Sequence, residues 1–325
     1  MNKKVNRIVW GLGLGYFVAY APYAGLTKAM TSGRLGVTTD GLTLLPSAIA
    51  GTAVVLPLFI LLSGWWRHAR VPGLPVVISG IGTAIIIATT TLAYTFHGVS
   101  ILFALLLLRG GVLVLAPVVD LACGRRVRWF SSVALVISIG AVLLTMFATD
   151  DRRFTTIALI NTMAYLAGYA MRLPQMTLMA KVEAKEPTRR YFVEESLIAL
   201  AVLILGPLLG AAFGVEGLRQ GLLALTSGSA VANIGFVIGA LYASLFIFGT
   251  LIYLDRRENC FCVPLNRGAS LMAGVVATFV LGEAATWFEL TSVGMILVAF
   301  GFLSPLHHIP EWMAAAAWRR IRGLA

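Results

Sequence analysis

The chain has 325 residues, of which 59% are hydrophobic and only 12% are charged, and its mean hydropathy is +0.89. Soluble domains are about 45–50% apolar and about 25% charged, so this composition excludes a soluble globular protein and a disordered one. No single core can hide so much apolar surface, and lipid must be its solvent. The sequence therefore predicts a polytopic membrane protein, and its net charge of +11 does not indicate a nucleic-acid partner.

Ten apolar stretches follow one another along the chain, each close to the roughly 20 residues that a helix needs to cross a bilayer. Their predicted limits are 8–29, 43–64, 74–95, 99–122, 129–148, 154–180, 192–214, 229–254, 262–281 and 287–305. Proline and glycine within them are compatible with membrane helices. The connections are short, so we predict an all-α membrane protein of ten transmembrane helices without an extramembrane domain.

Positive charges alternate from one predicted loop to the next. One side of the membrane would carry 17 of the 25 Lys and Arg residues, and the other side only Arg34, Arg152, Arg153 and Arg219. Because cytoplasmic loops carry an excess of Lys and Arg, this asymmetry predicts that the N- and C-termini are both cytoplasmic. It also explains the basic pI without a polyanionic partner.

The two halves of the chain resemble each other in residue types that are scarce here. At offsets of 158 or 149 residues the matches pair Arg109 with Arg267, Trp129 with Trp287, Tyr16 with Tyr165, and Tyr20 with Tyr169. Each half then holds five spans, and an odd number means that the second half enters the membrane from the opposite side. We therefore predict a first five-helix repeat at 1–150, a second, inverted repeat at 151–306, and a cytoplasmic amphipathic basic tail at 307–325.

Inverted repeats are the physical basis of alternating access, in which two nearly equivalent packings expose a midplane site to either side in turn. A membrane enzyme has no need for this symmetry, and the few acidic residues are scattered rather than grouped. The sequence therefore favours a transporter over an enzyme, with no catalytic residue, cofactor or metal.

Residues near the C-terminus resemble a known family. Asn266-Arg-Gly-Ala-Ser, followed by Val280-Leu-Gly-Glu283 and a last helix with Gly294 and Gly301, is similar to the end of an EamA-like repeat. In that family a helix closes on Leu-Gly-Glu before a short turn and a glycine-containing final helix. The first repeat departs from this pattern, with Arg125 in place of the glutamate. The resemblance to the drug/metabolite transporter superfamily implies ten spans in two inverted units and secondary transport of a small metabolite without ATP.

Two arginines occupy matched positions inside predicted spans. A charge at the centre of a spanning helix costs about 2.5–3.5 kcal/mol, so Arg109 in the fourth span and Arg267 in the ninth are functional candidates. Guanidinium groups match carboxylate and phosphate oxygens, which suggests an anion clamp. The resemblance likewise implies basic residues on these two helices in the phosphate-translocator branch. The alternative is that each arginine pairs with backbone carbonyls or with a buried acid such as Asp120 and braces the bundle.

The first and sixth predicted spans each carry polar side chains on one helical face. These are Tyr16 and Tyr20 in the first span, and Asn161, Tyr165, Tyr169, Arg172 and Gln175 in the sixth. Because tyrosine combines an apolar body with a hydroxyl group, we expect both faces to line a substrate cavity, with Arg172 as a third cation and Asn266 as a further contact. The alternative is hydrogen bonding between helices.

Coupling of transport to protons would need a buried acid whose pKa is raised by its apolar surroundings. Asp120 and Glu195 are the candidates, and both lie toward the predicted cytoplasmic ends of their spans. The alternative is that they are boundary charges that face arginines of the adjoining loops.

Together these patterns predict a secondary transporter for a small anionic organic metabolite in the cytoplasmic (inner) membrane of a prokaryote. Its site would lie between the halves, on the first, fourth, sixth and ninth spans. Two alternatives stay open: an exporter of neutral or zwitterionic amino acids or related metabolites, and a translocator of lipid or lipid-linked sugar. The expected partners are the metabolite, membrane lipid and a second copy in a homodimer.

Overall fold

The computed structural model describes residues 3–36, 39–93, 101–148, 156–182, 184–282 and 287–303. In these residues the chain forms eleven α-helices and one 3-10 helix, and no strand. The α-helices are α1 (Lys3–Thr31), α2 (Gly41–Leu62), α3 (Leu74–Ala93), α4 (Ile101–Ala122), α5 (Trp129–Ala148), α6 (Thr156–Met179), α7 (Lys185–Ala212), α8 (Glu216–Ser227), α9 (Ala230–Tyr253), α10 (Asn259–Val280) and α11 (Trp287–Leu303). The 3-10 helix, Trp65–His68, follows α2. The predicted tail at 307–325 and Glu283 lie outside the described residues.

The prediction of an all-helical chain is confirmed for the described residues, and each of the ten apolar stretches falls on a helix. The observed helix limits differ from the predicted ones where polar residues extend a helix beyond its apolar part. Helix α7, for example, begins at Lys185 and not at residue 192. The short helix α8 was not predicted, because its sequence is too polar to stand out by hydropathy.

Within the described part of the chain, five helices are long and apolar enough to cross a membrane: α2, α3, α7, α9 and α10. Helices α1 and α6 are less apolar because they carry the tyrosine-rich faces described above, and α11 is shorter, with 17 residues. Length and hydropathy therefore indicate a membrane-embedded, all-helical protein.

Contacts between helices come in equivalent sets when α1 to α5 are matched in order with α6, α7, α9, α10 and α11. Under this matching, the contact of α2 with α9 is equivalent to the contact of α7 with α3. In the same way, the contact of α1 with α9 is equivalent to the contact of α6 with α3. Helix α1 also packs on α10, and α4 packs on α6, while α4 and α5 each pack on their own counterparts, α10 and α11.

The last two helices of the first half, α4 and α5, begin at the same sequence offset from the last two helices of the second half, α10 and α11. Helices α4 and α10 begin and end 158 positions apart, and so do the first residues of α5 and α11. The turns between them contain Gly124 at φ +66° and Gly282 at φ +68°. Glycine suits these positions because a left-handed residue after a helix end strains any side chain with a Cβ.

Asp120, at the end of α4, binds the N-terminus of α10. One carboxylate oxygen accepts hydrogen bonds from the backbone and side-chain amides of Asn259 (2.9 and 2.8 Å), and the other accepts one from the Cys260 backbone N–H (2.8 Å). A helix N-terminus has unsatisfied N–H groups and a partial positive charge. The carboxylate therefore ties α4 to α10, and among the described residues it forms no ion pair with an intramembrane or a loop arginine.

Helices α2 and α9 approach closely because glycine faces each neighbouring backbone. A Cβ at Gly239 would lie 1.8 Å from the carbonyl oxygen of Ala48, and one at Gly51 would lie 2.0 Å from that of Phe236. The Thr52 hydroxyl group uses this proximity to donate a hydrogen bond to the Gly239 carbonyl at 3.0 Å.

We expect Gly239→Ala to push α2 and α9 apart and to lower the free energy of unfolding by about 1–3 kcal/mol or more. The matched control is Gly206→Ala in α7, where no atom lies within 4 Å of the added Cβ and alanine favours the helix by about 1 kcal/mol. Thermal unfolding in detergent measures both, and equal melting temperatures for the two variants would contradict the close approach.

Candidate functional site

A cavity lies where α1, α3, α4, α6, α9 and α10 meet, and its empty volume is about 350 Å³. Six of the nine tyrosines in the chain line it: Tyr16, Tyr20, Tyr165, Tyr169, Tyr242 and Tyr253. Such a concentration gives the cavity apolar walls that carry many hydroxyl groups. The rings are buried, so they expose little surface in this conformation.

The four tyrosines predicted from the sequence face one another as two pairs. The ring centroids of Tyr16 and Tyr20 are 5.4 Å apart on α1, and those of Tyr165 and Tyr169 are 5.0 Å apart on α6. These spacings lie within the range of favourable ring contacts. The structure therefore brings both predicted faces to one cavity.

Arg109 reaches the cavity from α4 and is buried. Its guanidinium group donates hydrogen bonds to the hydroxyl groups of Tyr16 (3.3 Å) and Tyr20, and its central carbon lies 5.0 Å from the Tyr20 ring centroid. Phenol groups are neutral acceptors, so these bonds orient the guanidinium group without neutralising its charge.

Arg267 lies behind the tyrosine wall rather than at the cavity surface. Its central guanidinium carbon is 4.7 Å from the ring centroid of Tyr169, 5.8 Å from that of Tyr253 and 5.9 Å from that of Tyr165. Ring faces attract a cation when it is desolvated. The three rings thus stabilise the charge and separate it from the cavity.

The Arg267 side chain is only 1% exposed. Within the described part of the chain, its Nε and Nη2 form no hydrogen bond and no carboxylate lies within 4.0 Å. A buried charge without a counter-ion costs several kcal/mol. The alternative is that Arg267 braces the bundle by pairing with backbone carbonyls or with a buried acid. Among the described residues, Nε and Nη2 have no carbonyl partner, and the guanidinium group has no acid partner.

Arg172 also lines the cavity, but its charge is compensated. Its Nε and Nη2 bind the two carboxylate oxygens of Glu195 at 2.8 and 3.0 Å, and Nη2 also donates to the Thr250 hydroxyl at 2.9 Å. The candidate third cation and the candidate proton carrier therefore form one buried, bidentate ion pair.

Glu195 is completely buried and has a full set of donors. Besides Arg172, one of its oxygens accepts hydrogen bonds from the hydroxyl groups of Ser79 (2.6 Å), Thr83 (2.9 Å) and Tyr191 (3.2 Å). This network joins α3, α6, α7 and α9. It is the neighbouring Glu194, and not Glu195, that pairs with a loop-side arginine, Arg190, at 2.7 Å.

The three predicted amide side chains have different surroundings. Asn161 donates to the Thr89 carbonyl at 3.0 Å and thereby joins α6 to α3, and Gln175 is half-buried and does not line the cavity. Asn266 does line it: its Oδ1 accepts a hydrogen bond from the Tyr253 hydroxyl at 3.1 Å, and its buried Nδ2 has no acceptor among the described residues.

Helix α9 contributes a wall that the sequence interpretation missed. Tyr242, Phe246, Thr250 and Tyr253 follow at steps of four, four and three residues, which places them on one helical face. That spacing was a usable signal, but the surrounding apolar residues concealed it. Gly249 on the same face lets Tyr16 approach, since a Cβ there would lie 2.9 Å from the ring.

We expect opposite effects on stability from Arg267→Met and Arg172→Met. The first removes a buried charge that lacks a counter-ion, so the melting temperature should stay unchanged or rise. The second leaves Glu195 buried and unpaired, and should lower the free energy of unfolding by about 3–5 kcal/mol.

Thermal unfolding in detergent distinguishes the two variants, and Arg172→Met/Glu195→Leu is the control that removes both charges and should recover much of the loss. If Arg267→Met destabilises the protein as much as Arg172→Met does, Arg267 is a structural brace.

No protein-family model matches this sequence, and no curated protein matches it. Among solved structures, fifteen chains match. One of them, described only as the crystal structure of a protein, aligns with 93% of this chain and 98% of its own, with a TM-score of 0.59 and 16% sequence identity. At this identity the similarity concerns the fold alone, so the arrangement of these helices recurs in a protein of known structure.

Proposed function

We propose that this protein is a secondary transporter of the drug/metabolite type, which moves a small anionic organic metabolite across the cytoplasmic membrane of a prokaryote. The observation that carries the proposal is the buried Arg267, whose Nε and Nη2 lack acceptors in the described residues while its charge adjoins the tyrosine cavity. An anionic substrate would supply the missing counter-charge.

Several features support ten membrane spans in two inverted five-helix units. Five of the described helices meet the requirements of length and hydropathy, and α1, α4, α5, α6 and α11 pack with them in the equivalent sets described above. The common register of α4–α5 and α10–α11 supports the repeat, and the alternation of positive charge supports cytoplasmic termini.

Alternating access would use these equivalent packings. The cavity lies among helices of both halves and its rings are buried, so a metabolite would enter when the helices separate on one side. Two arrangements of similar energy, each open to one face of the membrane, follow naturally from two similar units.

In the open states the substrate anion would meet Arg109 directly and Arg267 after a shift of the Tyr169 ring, which lies closest to that guanidinium group. The Nδ2 of Asn266 would supply a neutral donor to a substrate oxygen. The remaining tyrosines would pack on the carbon skeleton. The ion pair between Arg172 and Glu195 would brace this wall, since its hydrogen bonds are already satisfied within the protein.

The two alternatives have less support. An exporter of zwitterionic amino acids would need a carboxylate facing the substrate ammonium group, and among the described lining residues no acidic side chain occurs. A lipid translocator would need a passage from the cavity to the bilayer and room for acyl chains, and the empty volume of about 350 Å³ fits a small metabolite better than a lipid.

Binding can be tested by thermal stabilisation of the purified protein against metabolites grouped by charge. A ligand at 100 times its dissociation constant adds about 2.7 kcal/mol to the free energy of unfolding. We expect carboxylated or phosphorylated compounds to raise the melting temperature, and Arg267→Met to remain folded but to lose the shift.

The matched control is Arg126→Met, which removes an exposed arginine and should keep the shift. Uptake of the stabilising compound into proteoliposomes then tests transport. A shift with zwitterions alone would support the amino-acid exporter, and an unchanged anion shift in Arg267→Met would exclude Arg267 from the site.

A further inference from the structure

A second and larger cavity lies at one end of the helix bundle. The empty space within it, which includes space open to solvent, is about 1510 Å³, and its walls come from the beginnings of α1 and α7, the end of α9 and the 3-10 helix. By the distribution of positive charge this end is the predicted cytoplasmic one. None of the described residues that line it belongs to the tyrosine cavity.

We propose that this cavity binds an acidic membrane lipid, with the phosphate of the headgroup on Lys185 and Arg189 and an acyl chain along the apolar wall. This inference rests on the membrane-embedded fold and is independent of the transported substrate.

Two cationic side chains, Lys185 and Arg189, line the basic side of the cavity. Lys185 is exposed and Arg189 is half-buried, and no carboxylate of the described residues lies within 4.0 Å of either one; Glu183 lies outside those residues. The acidic side chain in the described lining, Asp255, is already bound by Arg257 at 2.6 and 3.2 Å. The described part of this wall is therefore net positive.

Arg189 is held in place before any ligand arrives. Its guanidinium carbon lies 5.7 Å from the ring of Trp65, and Trp65 in turn packs edge-to-face on Phe192 (5.3 Å) and Phe59 (5.7 Å). A cation on an anchored aromatic ring forms a preorganised site, because little side-chain freedom remains to be lost on binding.

The rest of the wall is apolar, which favours a lipid over a water-soluble anion. Ile8 on α1, Val182, and Leu251 and Leu254 at the end of α9 line the cavity together with Trp65. Ile8 is 57% exposed, so an acyl chain lying on it would remove apolar surface from water. Basic pockets between membrane helices bind acidic headgroups, and the combination here matches both parts of such a lipid.

Occupancy would also have a mechanical consequence. Leu251 lies in the last turn of α9 and Leu254 directly follows the helix, so both adjoin Thr250 and Tyr253, which line the tyrosine cavity. A lipid held between α7 and α9 would therefore brace the end of the helix that carries part of the substrate wall.

The experiment compares phosphatidylglycerol with phosphatidylcholine of the same acyl chains, added to delipidated protein in neutral detergent. We expect phosphatidylglycerol to raise the melting temperature and to remain bound in native mass spectrometry, and phosphatidylcholine to do neither. Lys185→Gln/Arg189→Gln should weaken phosphatidylglycerol binding by about tenfold or more.

The control Arg67→Gln/Arg126→Gln removes the same charge from exposed positions outside the cavity, and it should keep wild-type lipid binding. Arg267→Met should also keep it, which separates this site from the transport site. Equal binding of both lipids, or unchanged binding in Lys185→Gln/Arg189→Gln, would overturn the proposal. Equal stabilisation by glycerol 3-phosphate, lost in the same variant, would overturn it in favour of a soluble anion.

Discussion

A charge inside an apolar bundle is costly unless a counter-charge or polar partners compensate it, because neither lipid nor a dry interior solvates it. Most buried acids here meet this requirement completely. Asp120 binds the N-terminus of α10, Glu195 binds Arg172 and three hydroxyl groups, and Glu258 binds Arg128 and Ser131. These bonds join helices distant in the chain, and the same requirement makes Arg267 conspicuous, since its charge has no carboxylate partner among the described residues.

The tyrosines make such an arrangement tolerable. Their ring faces attract the Arg267 guanidinium group, and their hydroxyl groups hold Arg109, while no acidic side chain occurs among the described lining residues of the cavity. Tyrosine can serve both arginines because it offers a face and a hydroxyl at different points of one rigid side chain. Close contact of α2 with α9 through Gly51 and Gly239 fixes the first half of α9. The face that carries Gly239 continues along the helix through Tyr242, Phe246 and Tyr253, which line the cavity.

Much of the fold could be predicted from local sequence. Apolar stretches of about 20 residues marked ten helices, and the helical spacing of Tyr16 with Tyr20 and of Tyr165 with Tyr169 placed all four on faces that meet in the cavity. Asn161 and Gln175 share the α6 stripe, yet they do not line the cavity, because a stripe runs the length of a helix while a cavity occupies only a few of its turns. The α9 face was missed because its polar groups are embedded in a strongly apolar segment.

The sequence by itself determined the helical, membrane-embedded class and the positions at which charges and tyrosines occur, because hydropathy and periodicity depend on residues that are neighbours in the chain. Only the tertiary structure decided what each charge does. Arg172 and Arg267 look alike in the sequence, but the first meets Glu195 from α7 and the second meets three aromatic rings. Which partner a buried charge finds depends on which helices pack together, and that is a property of the whole bundle.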